Sequence, residues 1–478
     1  MTLADLVDQA RGRQPPQPVL TDAVRVALEE GGRALAAAAR AGEVYGLTTG
    51  VGALRGVRLD DGLDDGAGQG LRLWRSHAAA FGPELDDIDA RATMLVRLHQ
   101  LAAGPTGVSV ELAEALERAL VSGAVPVLHG YGSIGTADLA VLAQLGLALV
   151  GDGAWRVGNP EPVVVQSSDA LPFLSSNAMT AGIGALVHSD LSGLLRAAER
   201  VAAISFLALR GSAQAYDGRV FERRDDPAAA AAAHRMAGLL AGAPEPSARG
   251  QDPFALRTVP QVHGVADAAL DAAASALLAE IGAPGENPLP VDGTALHHGL
   301  FLTQGLAAAF DAVRQSFVGV TTLAQARLAA LVDPRLTDLP AFLADGAAGS
   351  SGVMVLEYVA ADLSARVRAT ALPTTLTRTT VSIGMEETAS HSTQGVLAAR
   401  VLAGHVPDLL ACELLAATRA LRMAPVRLQG ESVAAELARS AIAALGDLPL
   451  EDHVLGAELR AAAAVVTAWA DATTARRR

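Results

Sequence analysis

With 478 residues, 51% of them hydrophobic, the chain is long enough to bury a large core and to form two or three domains or one extended helical body. All 37 residues in its Lys+Arg count are arginine, which removes a Schiff-base lysine and with it ordinary pyridoxal phosphate chemistry. A formal net charge of -14 argues against nucleic acid as a partner, since phosphate contacts need clustered positive charge; the terminal run Arg476, Arg477 and Arg478 reads as a solvated tail.

Aromatic residues make up only 3% of the chain, so small aliphatic side chains must fill the core, which suits close-packed helices. The start, MTLADLVDQARGRQPPQP, lacks a basic region followed by an apolar one, and no secretory signal is expected. The uncharged stretches 119–137 and 170–189 contain Pro, Gly, Ser, Asn or His, unlike a membrane-spanning helix; a cytoplasmic protein with no membrane partner is expected. From about residue 20 to 200, short helical patterns alternate with Gly-rich turns such as YGLTTGVGALRG and HGYGSIGTAD, where chain and ligand can approach closely. Long Ala/Leu segments follow at 177–211, 302–332, 351–371 and 390–422, and their spacing predicts helices that form a bundle. Between the first two, the stretch from Asp217 to Asp252 predicts a helical excursion ending in a loop, a candidate mobile flap. The expected division is an N-terminal domain over 1–205 and a helical bundle with C-terminal helices over 206–478. The single cysteine, Cys412, excludes an intramolecular disulfide and lies on an apolar helix face.

Four separated stretches carry polar groups of chemical interest. Tyr45 sits beside the Gly-rich turn YGLTTGVG; His77 ends LRLWRSH; GQDPFALRTVPQVHG holds Gln251, Phe254, Arg257 and His263; SIGMEETASHS holds Glu386 and Glu387. Each alone has a structural explanation, such as a buried tyrosine, a capped helix end or a surface ion pair. In this order, however, they resemble the histidine and phenylalanine ammonia-lyase family over nearly the whole chain. The family's Tyr-Gly-x-Asn-Thr-Gly-Phe-Gly turn is matched by Tyr45 to Gly52, its Ser-His-Ala by Ser76 to Ala78, and its Gln-Asp-x-Tyr-x-Leu-Arg-x-x-Pro-Gln-Val by Gln251 to Val262. Asn287-Pro288-Leu289 and Ser351-Gly352-Val353-Met354 match as well.

The resemblance implies a mainly α fold of the fumarase/aspartase type, with a long central helical bundle and a loop-rich N-terminal domain, assembled as a homotetramer whose active sites draw on several subunits. In familiar members an Ala-Ser-Gly tripeptide cyclises into an electrophilic methylidene-imidazolone. Here that stretch reads Gly132-Ser133-Ile134-Gly135-Thr136-Ala137-Asp138-Leu139-Ala140, one residue shorter, with Thr136-Ala137 in place of the triad ahead of Asp138. Forming the electrophile requires a central serine hydroxyl to eliminate and a permissive following glycine. Both are missing, so no such prosthetic group is expected; the alternative that stays open is cyclisation of Gly135-Thr136-Ala137 with Thr136 as the source of a substituted alkene. The family's tyrosine in Gln-Asp-x-Tyr is Phe254, its amine-pocket asparagine falls at Ser176 or Asn177, and its Asn-Phe-His-Gly becomes Leu296-His297-His298-Gly299.

What remains resembles a base and a carboxylate clamp without the electrophile. Tyr45 and Glu386 are the expected catalytic residues; His77, Ser176, Asn177, Gln251, Phe254, Arg257 and His297 are the expected substrate-binding ones. Arg257 supplies a planar fork for a carboxylate, and Tyr45 resembles the family base, a task that needs its phenol depressed below its free pKa of about 10. Ergothionase, within the wider family, lacks the prosthetic group and expels trimethylamine from a histidine-like betaine. The resulting expectation is a carbon–nitrogen lyase acting by β-elimination on a carboxylate-bearing, pre-activated amino-acid derivative, ergothioneine or hercynine being examples. A non-catalytic binding protein and a pathway isomerase or cyclase stay open as alternatives. No metal is expected: His297-His298 and Glu386-Glu387 are adjacent pairs that point apart, and no His-x-x-x-His or cysteine cluster is present.

Overall fold

The computed structural model describes residues 1–59 and 68–475; the terminal arginine run lies outside the described residues. The chain is mainly helical, as expected. The N-terminal third carries α1 (Leu3–Ala10), α2 (Asp22–Ala41), α3 (Gly68–His77), α4 (Asp87–Ala102), α5 (Val110–Val121) and α6 (Leu139–Leu149), interleaved with the short strands β1 (Phe81–Glu84), β2 (Val125–Pro126), β3 (His129–Tyr131) and β4 (Trp155–Val157). These strands form two antiparallel pairs, β1 with β3 and β2 with β4. Side-chain caps set several helix starts: Thr21 accepts from the Val24 amide, Asp86 from Asp89 and Ser109 from Leu112.

The long segments then follow as α7 (Ala178–Ala208), α8 (Pro227–Leu240), α9 (Val259–Ile281), α10 (Gln304–Leu331), α11 (Val355–Thr370), α12 (Ser392–Met423), α13 (Val433–Leu445) and α14 (Gly456–Ala475). The four helices expected from the Ala/Leu segments are α7, α10, α11 and α12. Between α9 and α10 a hairpin pairs β5 (Leu289–Val291) with β6 (Thr294–Leu296) around Asp292-Gly293, both with positive φ, as a tight hairpin turn requires.

The backbone divides into two compact units, one of Met1–Leu186, Ala273–Phe310 and Pro373–Leu397, the other of Val187–Ala272, Asp311–Leu372 and Ala398–Arg478. The linear boundary expected at 205 therefore falls inside α7, because α7, α9, α10 and α12 each have residues in both units. In the first unit, α7 approaches α4 closely at Gly182, where a Cβ would lie 2.8 Å from the Ala92 carbonyl carbon. In the second, the expected flap is a helix: Asp226 caps α8, Pro227 opens it, and Ala229, Ala232, Ala233 and Met236 are buried. Its alanines leave no bulk, so α9 can pack against it at Gly264. Among the described residues three apolar stretches are long enough by composition to cross a bilayer; the most apolar 18-residue window of 167–208 is wholly buried within the fold, so packing accounts for its apolarity.

A buried ion pair ties the second unit together. Arg327 Nε donates to Glu413 Oε1 at 2.6 Å and Nη2 to Oε2 at 3.0 Å, both side chains being fully buried, while Ser205 Oγ donates to the same carboxylate at 2.6 Å. Arg327 Nη1 also donates to the Ala255 carbonyl at 3.1 Å, which anchors the turn carrying Arg257. Arg327→Met leaves Glu413 charged and dry, and is expected to cost about 3–5 kcal/mol in denaturant unfolding; adding Glu413→Leu should return most of it.

Candidate active site

Residues 133–138 lie in the first unit, where four helices begin. Asp138 precedes α6, Asn177 precedes α7, Thr303 precedes α10 and His391 precedes α12. Each start is tied to the loop. The Gly135 carbonyl accepts from Ser390 Oγ at 2.8 Å and Thr303 Oγ1 at 3.3 Å. Asn177 Oδ1 accepts from the Ala137 amide at 3.1 Å, and its Nδ2 donates to the Phe301 carbonyl at 2.8 Å. Asp138, fully buried, accepts from Ser133 Oγ, from Thr180 Oγ1 at 2.8 Å and from the Thr180 amide at 2.9 Å, so its carboxylate caps α7 from outside that helix. Burial raises the Asp138 carboxyl above its ordinary value, and these hydrogen bonds oppose the rise without cancelling it.

The backbone here is tightly constrained. Gly135 has φ 77°, and a Cβ would sit 2.1 Å from Ser390 Oγ. Ala137 adopts φ 73° without being glycine. The Ser176 side chain turns away from the loop and donates to Gln100 Oε1 at 2.5 Å, while its carbonyl accepts from the Asp138 amide at 2.7 Å. Thr303, Ser390 and Thr180, which sequence reasoning did not single out, are the hydroxyls that hold the loop; the run Ser390-His391-Ser392-Thr393 signals Ser390 but neither Thr303 nor Thr180.

Tyr45 stands in a second constrained turn. Its ring packs on Leu73, Ala170 and Leu171. Its hydroxyl accepts from the Gly52 amide at 2.6 Å, and its own amide donates to His297 Nε2 at 3.3 Å. Glu386 lies alongside: Ser382 Oγ accepts from the Ala53 amide at 3.0 Å, and the 381–386 turn closes through the Val381 amide donating to the Glu386 carbonyl at 2.9 Å. The expected depression of the phenol is reversed. Burial pushes Tyr45 above its ordinary value and the Glu386 charge adds to this, while the Gly52 amide and Arg55 oppose without prevailing. His77 ends α3 and its Nδ1 lies 2.9 Å from the Leu73 carbonyl, one turn back. That contact makes Nδ1 the protonated nitrogen in the neutral ring and leaves Nε2 with the lone pair.

Gln251, Phe254 and Arg257 belong to the second unit. Phe254 is 67% exposed, and its ring lies 4.5 Å from the Arg257 guanidinium carbon. Arg257 Nε is buried without a hydrogen-bond partner. The segment is fixed by Asp252, which accepts from the Ser212 amide at 2.6 Å, and by the Tyr216 hydroxyl on the Leu256 carbonyl. A planar cation stacked on an exposed ring and held by its backbone suits a carboxylate. His263, by contrast, is fully buried and held neutral by desolvation and the surrounding arginines. Among the described residues no three His, Cys, Asp or Glu side chains cluster as metal ligands would.

The model of the aromatic amino acid lyases matches residues 1–445. The chain belongs to the aromatic amino acid lyase family. It is 32% identical to histidine ammonia-lyase of Geobacillus kaustophilus over 408 residues, covering 80% of this chain and 81% of the relative. Histidine ammonia-lyase of Sorangium cellulosum is 31% identical over 505 residues, covering 98% and 96%. Among solved structures, ergothionase, an ergothioneine-degrading enzyme of Treponema denticola, superposes with a TM-score of 0.91 at 21% identity, covering 98% of this chain and 97% of that one. Tyrosine aminomutase of Streptomyces globisporus gives 0.90 at 24% identity, covering 100% and 97%. Membership supports a carbon–nitrogen lyase.

Near the loop, burial pushes Glu280 up to about 7 from an ordinary 4.5, with the Asp138 charge adding to it. The folded chain then holds a proton between those values that the unfolded chain has released, so this group's contribution to stability declines as pH rises through the window. Glu280→Gln should flatten that part of the stability profile, measured by urea unfolding at successive pH values.

Proposed function

We propose that this chain is a lyase that carries out β-elimination without a methylidene-imidazolone, on a carboxylate-bearing substrate whose amine is already quaternary. The observation that carries this reading is the Gly135-Thr136-Ala137 stretch. It lacks the serine whose hydroxyl would be eliminated, places a Cβ on the residue whose nitrogen would attack, and has that nitrogen hydrogen-bonded to Asn177. The residues present do not fit the prosthetic group.

The rest of the set fits an elimination that needs no electrophile. Arg257, stacked on Phe254, receives the carboxylate. Tyr45, ionised when positive charge from the substrate or another copy is brought to its phenol, takes the β-proton on its oxygen, the C–H electrons form the Cα–Cβ double bond, and the Cα–N bond breaks to release a neutral tertiary amine. A quaternary nitrogen leaves without further protonation, whereas ammonia needs activation. Helix N-termini gathered around the loop favour the negative charge that develops on the carbanion side. The fold-level likeness to ergothionase supports the same class of substrate. Completion by neighbouring copies in a homotetramer is part of this reading. It is supported by the exposed apolar side chains Leu376 and Ile383, 76% and 96% accessible in the single chain, on the segment that carries Glu386.

The purified protein is expected to convert ergothioneine or hercynine to a conjugated acid, read by its absorbance, with release of trimethylamine, and to leave histidine and phenylalanine unchanged. Arg257→Lys should raise KM by roughly tenfold through loss of the two-pronged contact. The intact mass should equal that of the sequence. A deficit of two waters, or ammonia release from histidine, would refute the reading.

A further inference from the structure

His297 stands where the resembled family carries an apolar ring, and its surroundings give it a different task. The hairpin β5–β6 brings it there: Ala295, on β6, packs against the buried cluster of Leu35, Val44 and Leu47, which sets the end of the strand beside the Tyr45 turn. His297 Nε2 then accepts the Tyr45 backbone N–H at 3.3 Å, and the two rings meet edge to face at 6.4 Å and 84°. No phenylalanine can supply that acceptor.

Tyr45 is thereby fixed at three points: its amide on His297, its ring on Leu73 and Leu171, and its hydroxyl beneath the Gly52 amide. Gly46, within the same turn, has φ 72° and no room for a Cβ, which would lie 2.3 Å from Leu171, so the turn cannot adjust by shifting inward. Anchoring the amide selects one orientation of the whole side chain.

The contact also settles the imidazole's own chemistry. A nitrogen that accepts an amide hydrogen must keep its lone pair, so the neutral ring carries its proton on Nδ1. The hydrogen that His297 has left to offer, on Nδ1, is a donor open to an acceptor from solvent or from a substrate.

We propose that His297 is a positioning residue that latches Tyr45 through Nε2, and that the latch commits the ring to present an Nδ1–H donor, selecting substrates whose heteroaromatic group carries an acceptor such as an imidazole nitrogen or a thione sulfur. The selectivity half rests on the function proposed above; the latch does not.

Three variants and four readouts test it. Ring nitrogen-15 spectra of the wild-type protein should show His297 protonated at Nδ1 and bare at Nε2. Amide exchange at Tyr45 should quicken in His297→Phe and return to the wild-type rate in His297→Gln, whose side-chain amide can both accept and donate; thermal melting should stay level, because the side chain is exposed and the hairpin is held by Ala295. With ergothioneine and hercynine as probes, His297→Phe should lower kcat/KM by roughly tenfold, the scale of one lost hydrogen bond, and His297→Gln should restore most of it. Tyr45→Phe, which keeps the backbone amide, should leave the His297 tautomer unchanged. A wild-type ring protonated at Nε2, or a Tyr45 amide equally protected in His297→Phe, overturns the latch whatever the enzyme turns over. Turnover by the wild type with undiminished kcat/KM in His297→Phe overturns the selectivity alone. A wild type inert on both probes, with the tautomer and exchange pattern as stated, strikes the proposed function and the selectivity built on it and leaves the latch standing.

Discussion

One buried carboxylate organises the first unit. Asp138 closes the short loop that follows Ser133, starts α6 through its own backbone, and with its side chain satisfies the first turn of α7 and the hydroxyls of Ser133 and Thr180. Taking a carboxylate fully out of water is costly, and that cost is met only if several donors converge on it. Those donors come from segments far apart in sequence, so their convergence aligns helix starts that local propensity could never bring together. Thr303 and Ser390 add α10 and α12 by binding the adjacent Gly135 carbonyl. The loop is therefore the hub from which four helices leave, and everything placed at their N-terminal ends inherits its geometry.

The Tyr45 turn depends on that hub only indirectly, through the helices and hairpin that flank it, and its electrostatics are of the opposite kind. A phenol half removed from water, with a carboxylate nearby, holds its proton. The Gly52 amide occupies a lone pair of the hydroxyl and leaves the O–H as a donor. In the single chain Tyr45 is thus arranged as an acid or hydrogen-bond donor; acting as a base requires positive charge brought to the phenol by substrate or by another copy. His77 presents the complementary group, an imidazole whose Nδ1 is fixed on the Leu73 carbonyl and whose Nε2 keeps its lone pair.

The helices were legible because their signals are local. Runs of Ala and Leu at helical spacing disclose α7, α10, α11 and α12 to within a few residues, and Asp226-Pro227 marks the start of α8. The ordered motifs disclosed the family for a related reason, since each motif is a short stretch whose residues act together. What stayed hidden is what depends on distance in sequence. Nothing near Asn177 announces that its side chain will hold the Ala137 amide, or that Ser176, one residue earlier, will face Gln100 instead. Nothing near Tyr45 announces an acceptor from residue 297. The division of the backbone into compact units was hidden similarly, because long helices contribute to two units at once and no break in composition marks the crossing.

The missing serine and the converging helix starts bear on each other. Backbone N–H groups at helix N-termini carry partial positive charge; Asp138 offsets it at the start of α7, and where it is not offset a cationic ammonium is raised in energy relative to water. A primary amine answers such a field by losing its proton, and it then becomes a poor leaving group. A quaternary amine has no proton to lose, so the whole of that unfavourable interaction persists in the bound substrate and is relieved as the Cα–N bond stretches and the nitrogen becomes neutral. Under the proposed function, a scaffold that uses these helix starts without an electrophile is better matched to a permanently charged leaving group than to ammonia.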